Sequence, residues 1–216
     1  MKTLEKTSLN TILQSDSYST IAWQNEIHDL NHTYGPAAIY VSSLKMGAEY
    51  FSRWHYVRFE KKDRRGEVVF AIQNDHERFL LHTKPFYPDQ VYRLPSGGIK
   101  EDESVLDSLY REVFEETGFT PITIKLNSII FYQFKHQQSS IPFSSYVFVV
   151  RVDGQHPQVQ DEDENISGFE WIAMTRLQHV IEQLYNLPRP RWQDWGQMRA
   201  IAHEVLVREC KLNSVK

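Results

Sequence analysis

Between Gly97 and Phe119 the chain reads GGIKEDESVLDSLYREVFEETGF, and few backbone arrangements can accommodate that run. Ser104 is a good N-cap, and Asp107 stands three residues on, where a side chain can bond back to it. Val105, Leu106, Leu109, Tyr110 and Val113 recur at helical spacing and predict one apolar stripe. Gly118 suits the left-handed residue that ends a helix. Glu112, Glu115 and Glu116 then fall at i, i+3 and i+4, on one narrow side of that helix. Carboxylates this close repel one another unless a cation lies between them. Hard divalent ions with oxygen ligands, Mg²⁺ above all, meet that need. Arg111 is four residues from both Asp107 and Glu115 and can orient either. Just upstream, LPSGG is expected to form a tight turn whose small residues let a backbone carbonyl, from Ser96 or Gly97, approach the same ion.

The remaining chemistry is narrowed by what the chain lacks. With 216 residues and 41% hydrophobic content there is enough for one domain with a sizeable core, plus an appendage. A formal net charge of −4 is not the basic footprint of a nucleic-acid binder, so no nucleic-acid partner is expected. The lone cysteine, Cys210, excludes an intrachain disulfide framework and fits a reducing compartment. No signal peptide and no membrane-spanning run are expected, which points to a cytoplasmic protein. The nine histidines show no H-E-x-x-H spacing, and no G-x-S-x-G elbow is present.

Strand signals precede and follow the central run. EVVFAIQN, RFLLHTKPF and QVYRLP are read as three strands before it, separated by turns at Asn74-Asp75 and Pro88-Asp89. IKLNSIIFYQF and SSYVFVVRV follow as two long strands joined by a polar loop, KHQQSS, and GFEWIAM is a further strand. TRLQHVIEQLYNL and WGQMRAIAHEVLVREC are read as helices, and residues Ile21 to Leu30 show one apolar helical face.

The central run fits G-x5-E-x7-R-E-U-x-E-E-x-G-U, with U aliphatic or aromatic, at Gly97, Glu103, Arg111, Glu112, Val113, Glu115, Glu116, Gly118 and Phe119. It resembles the Nudix box, the signature of the Nudix hydrolases. That resemblance implies an α/β (α+β) fold, a mixed β-sheet sandwiched between helices, with extra N-terminal and C-terminal segments. The expected division is residues 1–60 as an extension packed on the core, 61–187 as the Nudix domain and 188–216 as a C-terminal helical segment. It further implies metal-dependent cleavage of a diphosphate linkage, with Mg²⁺, or Mn²⁺ in its place, as cofactor. The expected ligands are Glu112 and Glu116, joined by the Ser96 carbonyl. Glu115 is either a ligand or orients the attacking water. Glu103 either serves a metal or holds Arg111. The general base is either a box glutamate or an acidic residue of the DEDEN run, Glu162 or Glu164, although such a run is usually a solvated turn.

Phosphate contacts are expected from cations near the metal. Arg93 is the first candidate, with Arg53, Arg58 and Lys84 behind it. Tyr132, Phe134 and Tyr146 are aromatic enough to sandwich a base, but strand aromatics are more often core. Trp192 and Trp195 either pin the last helix or face a partner or substrate. Phe134 and Lys135 stand where ADP-ribose-selective members tend to carry proline, and markers of other substrate classes are missing. The substrate class that the resemblance implies remains a nucleoside diphosphate linked to another group, with no choice inside it. The competing reading is a non-catalytic nucleotide-sensing module. A homodimer is common in the family.

Overall fold

The third strand explains the layering. In the computed structural model, which describes residues 3–14, 24–154, 156–188, 190 and 192–213, every residue from Gly66 to Ile72 is buried. A strand buried on both faces needs a layer on each side. Val68, Phe70 and Ile72 pack with Ile27, Leu30, Leu109 and Val113 on one side. Val69 and Ala71 pack with Trp54, Leu177, Leu184 and Met198 on the other. Each fully buried valine, leucine, isoleucine, phenylalanine or methionine among them contributes roughly 1.5–3 kcal/mol.

In chain order the elements are β1 (Thr3–Thr7), α1 (Leu9–Leu13), α2 (Gln24–Tyr34), β2 (Ala38–Lys45) and α3 (Ala48–His55), which runs into a π turn (Tyr56–Glu60). Next come β3 (Gly66–Gln73), β4 (Phe79–Thr83), β5 (Ser96–Ile99), α4 (Val105–Thr117), β6 (Pro121–His136) and β7 (Ser139–Val152). A 3₁₀ turn (Glu162–Glu164), β8 (Gly168–Ile172), α5 (Met174–Tyr185) and α6 (Gln193–Asn213) complete the described chain. The eight strands form one sheet in the order β1-β2-β6-β7-β3-β4-β8, with β5 paired to β3 off that path. The pairs β2/β6 and β3/β7 are parallel and the others antiparallel. This is the expected mixed sheet between helices.

The N-terminal segment is built into this sheet. β2 lies parallel to β6 along its whole length, and β1 extends the edge. Glu26 on α2 reaches the box helix, accepting from the Val105 N–H at 2.8 Å and from Arg65 at 3.0 Å. The helix expected over Ile21 to Leu30 is found at Gln24–Tyr34, while residues 21–23 lie outside the described residues.

Three expectations need correction. QVYRLP is not a strand; it contributes one isolated bridge, His82 to Arg93. The LPSGG segment is not a tight turn, because Ser96–Ile99 is itself a strand, antiparallel to β3 with Val68 opposite Gly97. Gly97 and Gly98 have ordinary negative φ. Their smallness serves close packing rather than a turn, as shown below. Finally, KHQQSS is not a loop: β6 and β7 pair out to His136 opposite Ser139, and Gln137 takes a positive φ of 51° in the hairpin turn between them.

Candidate metal centre

The box helix forms for the reasons its sequence suggests. Ser104 is extended, its hydroxyl accepts from the Asp107 N–H at 3.0 Å, and it donates to the Asp107 carboxylate at 2.7 Å. Gly118 ends the helix with φ 70° and donates its N–H to Phe114. Of the expected stripe, Val105, Leu109 and Val113 are buried against the sheet and Leu106 is partly buried beside them, but Tyr110 is 46% exposed. This orientation turns Glu112 toward β5, where space is scarce. A Cβ on Gly97 would lie 1.7 Å from the Glu112 Cδ. A Cβ on Gly98 would lie 2.6 Å from the Arg64 Nε. The two glycines therefore make room for one carboxylate and one guanidinium.

Arg111 is the hub of the visible charge. Its Nε and one terminal nitrogen take both oxygens of Glu103, at 2.6 and 2.8 Å. Its other terminal nitrogen donates to Glu112 and Glu115, each at 2.9 Å. A further bond reaches the Gly98 carbonyl at 3.0 Å. Glu103 also accepts from the Lys100 N–H at 3.2 Å. Burial works against its charge, but Arg111 and that N–H more than offset it and hold the Glu103 carboxyl below its ordinary range. Of the two roles open to Glu103, the geometry displays the holding of Arg111.

Glu112, Glu115 and Glu164 offer carboxylate oxygens that all lie within 4.8 Å of one another. Glu164 comes from the DEDEN run, and Lys84 approaches it at 3.0 Å. Glu162, on the same 3₁₀ turn, is exposed and outside this group. Burial pushes the Glu112 carboxyl up, and Arg111 only partly counters it. Glu116 lies deeper. It is 0% exposed, and neither of its oxygens has a hydrogen-bond partner. Burial drives its pKa far upward. His82 Nδ1 stands 3.3 Å away, an ion-pair distance, but both ring nitrogens also lack hydrogen bonds. Burial, aided by Arg93 and Lys84, keeps that imidazole neutral, so it does not neutralise Glu116.

A divalent cation fits this arrangement. A buried carboxylate without a hydrogen-bond partner is costly, and three further carboxylates crowd one point, Glu112 and Glu115 sharing Arg111 and Glu164 meeting Lys84. All of the donors are hard oxygens. Beside them lies a cavity of about 520 Å³ at the loop before α4, which shares only Glu103 with the charged group.

On the other side of β5 lies a second polar network. Arg93, expected at phosphate, is 3% exposed and donates to the Tyr87 hydroxyl (2.8 Å), the Leu94 carbonyl (2.7 Å) and Ser96 Oγ (2.9 Å). It is thus a buried side chain braced by its own segment. Arg199 on α6 donates to the same Ser96 Oγ (2.9 Å) and to Glu67 (2.8 Å), and Glu67 accepts from Ser145 at 2.6 Å. Tyr132, Phe134 and Tyr146 are fully buried core and leave no face for a base. Trp195 packs on Tyr87 with ring centroids 4.8 Å apart, and Trp192 packs on both. Arg53 is exposed, and Arg58 lies 3.5 Å from Glu101.

Arg64, Glu67, His82, Arg199 and His203 were absent from the sequence-based candidates. One signal could have found four of them: a charged or imidazole side chain inside an otherwise apolar run, as in GEVVFAIQ, FLLHT and MRAIAHEVLV. Arg64 had no such signal.

A family model described as the NUDIX domain matches residues 62–192. An RNA pyrophosphohydrolase of Thioalkalivibrio sulfidiphilus is 46% identical over 53 residues, 24% of this chain and 30% of that relative. An RNA pyrophosphohydrolase of Ruthia magnifica is 27% identical over 157 residues, 64% of this chain and 81% of that protein. The crystal structure of a MutT NUDIX hydrolase from Burkholderia pseudomallei aligns over 65% of this chain and 95% of its own, at 21% identity and a TM-score of 0.44. Among the described residues no helix is long and apolar enough to cross a membrane.

Proposed function

This chain belongs to the NUDIX family, and from that premise we propose that it is a divalent-metal-dependent hydrolase. Its substrate would carry a diphosphate linkage, as in a nucleoside diphosphate joined to another group. The observation that carries this reading is the box helix itself: Glu112 and Glu115 converge with Glu164 within 4.8 Å, beside the partnerless buried carboxylate of Glu116.

A diphosphate resists water because its oxygens repel a nucleophile. What a bound Mg²⁺ or Mn²⁺ supplies is neutralisation of those oxygens and a water of lowered pKa. The protein's remaining task is positioning and charge stabilisation. Glu112, Glu115 and Glu116 hold the cation from α4, with the Ser96 carbonyl at the start of β5 as the added oxygen. Arg111, locked by Glu103, keeps Glu112 and Glu115 in place. Glu164 faces the cluster from a separate turn and suits the proton acceptor for the attacking water. Arg64, beside Gly98, is the cation we assign to phosphate oxygens; it offsets a small part of the upward push that burial gives the Glu112 carboxyl.

The test is turnover of the purified protein against a panel of nucleoside diphosphate derivatives, with Mg²⁺, with Mn²⁺ and with chelator. An RNA oligonucleotide bearing a 5′-polyphosphate belongs on that panel, because four matched relatives are named for RNA. Metal-dependent release of a phosphate-bearing product is expected. Thermal stabilisation by one compound, with no turnover of any, would replace the hydrolase with the nucleotide-sensing module.

A further inference from the structure

β5 is a plate between two helices, and alternate residues of it face opposite layers. Gly97 faces α4, where its missing Cβ makes room for Glu112. Ser96 faces α6, where its hydroxyl accepts from Arg199 and Arg93, each at 2.9 Å. Arg199 is fixed in turn by Glu67 at 2.8 Å. One turn further along α6, His203 Nε2 accepts the Leu94 N–H at 2.9 Å, while its Nδ1 pairs with the Arg199 carbonyl at 2.8 Å. That pairing makes Nδ1 the protonated nitrogen and Nε2 the acceptor. α6 therefore grips Leu94 by its backbone and Ser96 by its side chain, on both sides of Pro95.

We infer that Arg199 and His203 are positioning residues for the metal centre. They set the Leu94–Gly97 segment against Glu112, so that the last long helix determines where the Ser96 carbonyl and Gly97 stand. A hydroxyl at Ser96 is what α6 holds; alanine or glycine there offers it nothing. The packing of Trp195 against Tyr87, whose hydroxyl accepts from Arg93, ties the start of α6 to the same segment. This inference rests on the proposed metal-dependent reading, and its test separates the two.

The test titrates Mn²⁺ alone into the full chain and follows loss of the free-ion electron paramagnetic resonance signal, with thermal melting in parallel. Wild type is measured first: no Mn²⁺ binding there would overturn the metal reading and this inference with it. With binding established, Arg199→Gln and Ser96→Ala should each weaken Mn²⁺ by about tenfold or more, in the range typical of residues that orient ligands. The double variant should be no weaker than the weaker single, because both changes break the same link. Exposed Arg208→Ala, on the same helix, should bind as wild type. Wild-type affinity in both single variants, with only a lowered melting temperature, would reduce Arg199 to a structural role and overturn the inference. Fully additive losses would overturn it too, since Arg199 would then not act through Ser96. If Arg199→Gln does not fold, Ser96→Ala decides alone: unchanged affinity there refutes the inference.

Discussion

Two helices press on β5 from opposite layers, and their polar groups are treated in opposite ways. On the α6 side, Glu67, Arg199, Arg93, Ser96 and His203 find their partners within the chain, and only the Arg199 Nε is left over. On the α4 side, Arg111 satisfies Glu103 and part of Glu112 and Glu115, but Glu116 is buried with neither oxygen bonded. Burying an ionisable group without a hydrogen-bond partner is costly whether it keeps its charge or takes up a proton, so a fold keeps it only where another component will compensate. The contrast separates architecture from function. A closed polar network holds a strand in place, whereas an open one marks where a ligand charge belongs.

The largest break in that contrast should come from Gly97→Ala. The new Cβ would sit 1.7 Å from Glu112 Cδ, so strand and helix must part. Misplacement on the ångström scale costs about a hundredfold in rate, and kcat/KM with circular dichroism as a fold control would measure it. Glu116→Gln should follow, with turnover falling by about ten- to hundredfold. The metal-free protein should become more stable, because an unpaired buried carboxylate is replaced by an amide. A melting temperature that falls would show Glu116 to be compensated within the chain and would erase the contrast.

Arg111→Lys should lose about ten- to hundredfold in metal affinity, since a point charge cannot replace the fork that binds Glu103 through both oxygens. Isothermal titration with Mn²⁺ reads this directly. Glu164→Gln and Glu162→Gln make a sharper pair: the first should lower kcat, while the second leaves it unchanged.

The α6 network should show itself as acid sensitivity. Burial pushes His203 down to about 4 from an ordinary 6.5. The unfolded chain therefore takes up this proton before the folded one does, and stability falls as pH drops through that window. The full effect is on the order of 3 kcal/mol. Denaturant melts at pH 7 and pH 4.5 should show a smaller acid loss in His203→Gln. His82 contributes in the same direction, so part of the slope should survive.

Much of the α4 side could be read from the residues alone. Ser104, Asp107 and Gly118 specify where the helix begins and ends, and the spacing of Glu112, Glu115 and Glu116 puts them on one side. The partnership of Arg111 with Glu103 was one of two readings, and the two residues are eight positions apart. What failed in the sequence was interpretation of small residues. LPSGG looked like a turn because glycine is common in turns, yet the strand uses Gly97 and Gly98 for the closeness they permit. Tyr132, Phe134 and Tyr146 kept an apparent choice of roles until the sheet buried them entirely.

The sequence by itself determined the carboxylate-bearing helix and the family, because helix periodicity and capping are local and span at most a few turns. Only the tertiary structure decided that Glu164 faces that helix while Glu162 does not, and that Arg199 reaches Ser96 across 103 residues. Those meetings depend on which strands pair, in which register, and on which layer each helix lies. Such long-range contacts follow from burial of the whole sheet, and no short window of residues encodes them.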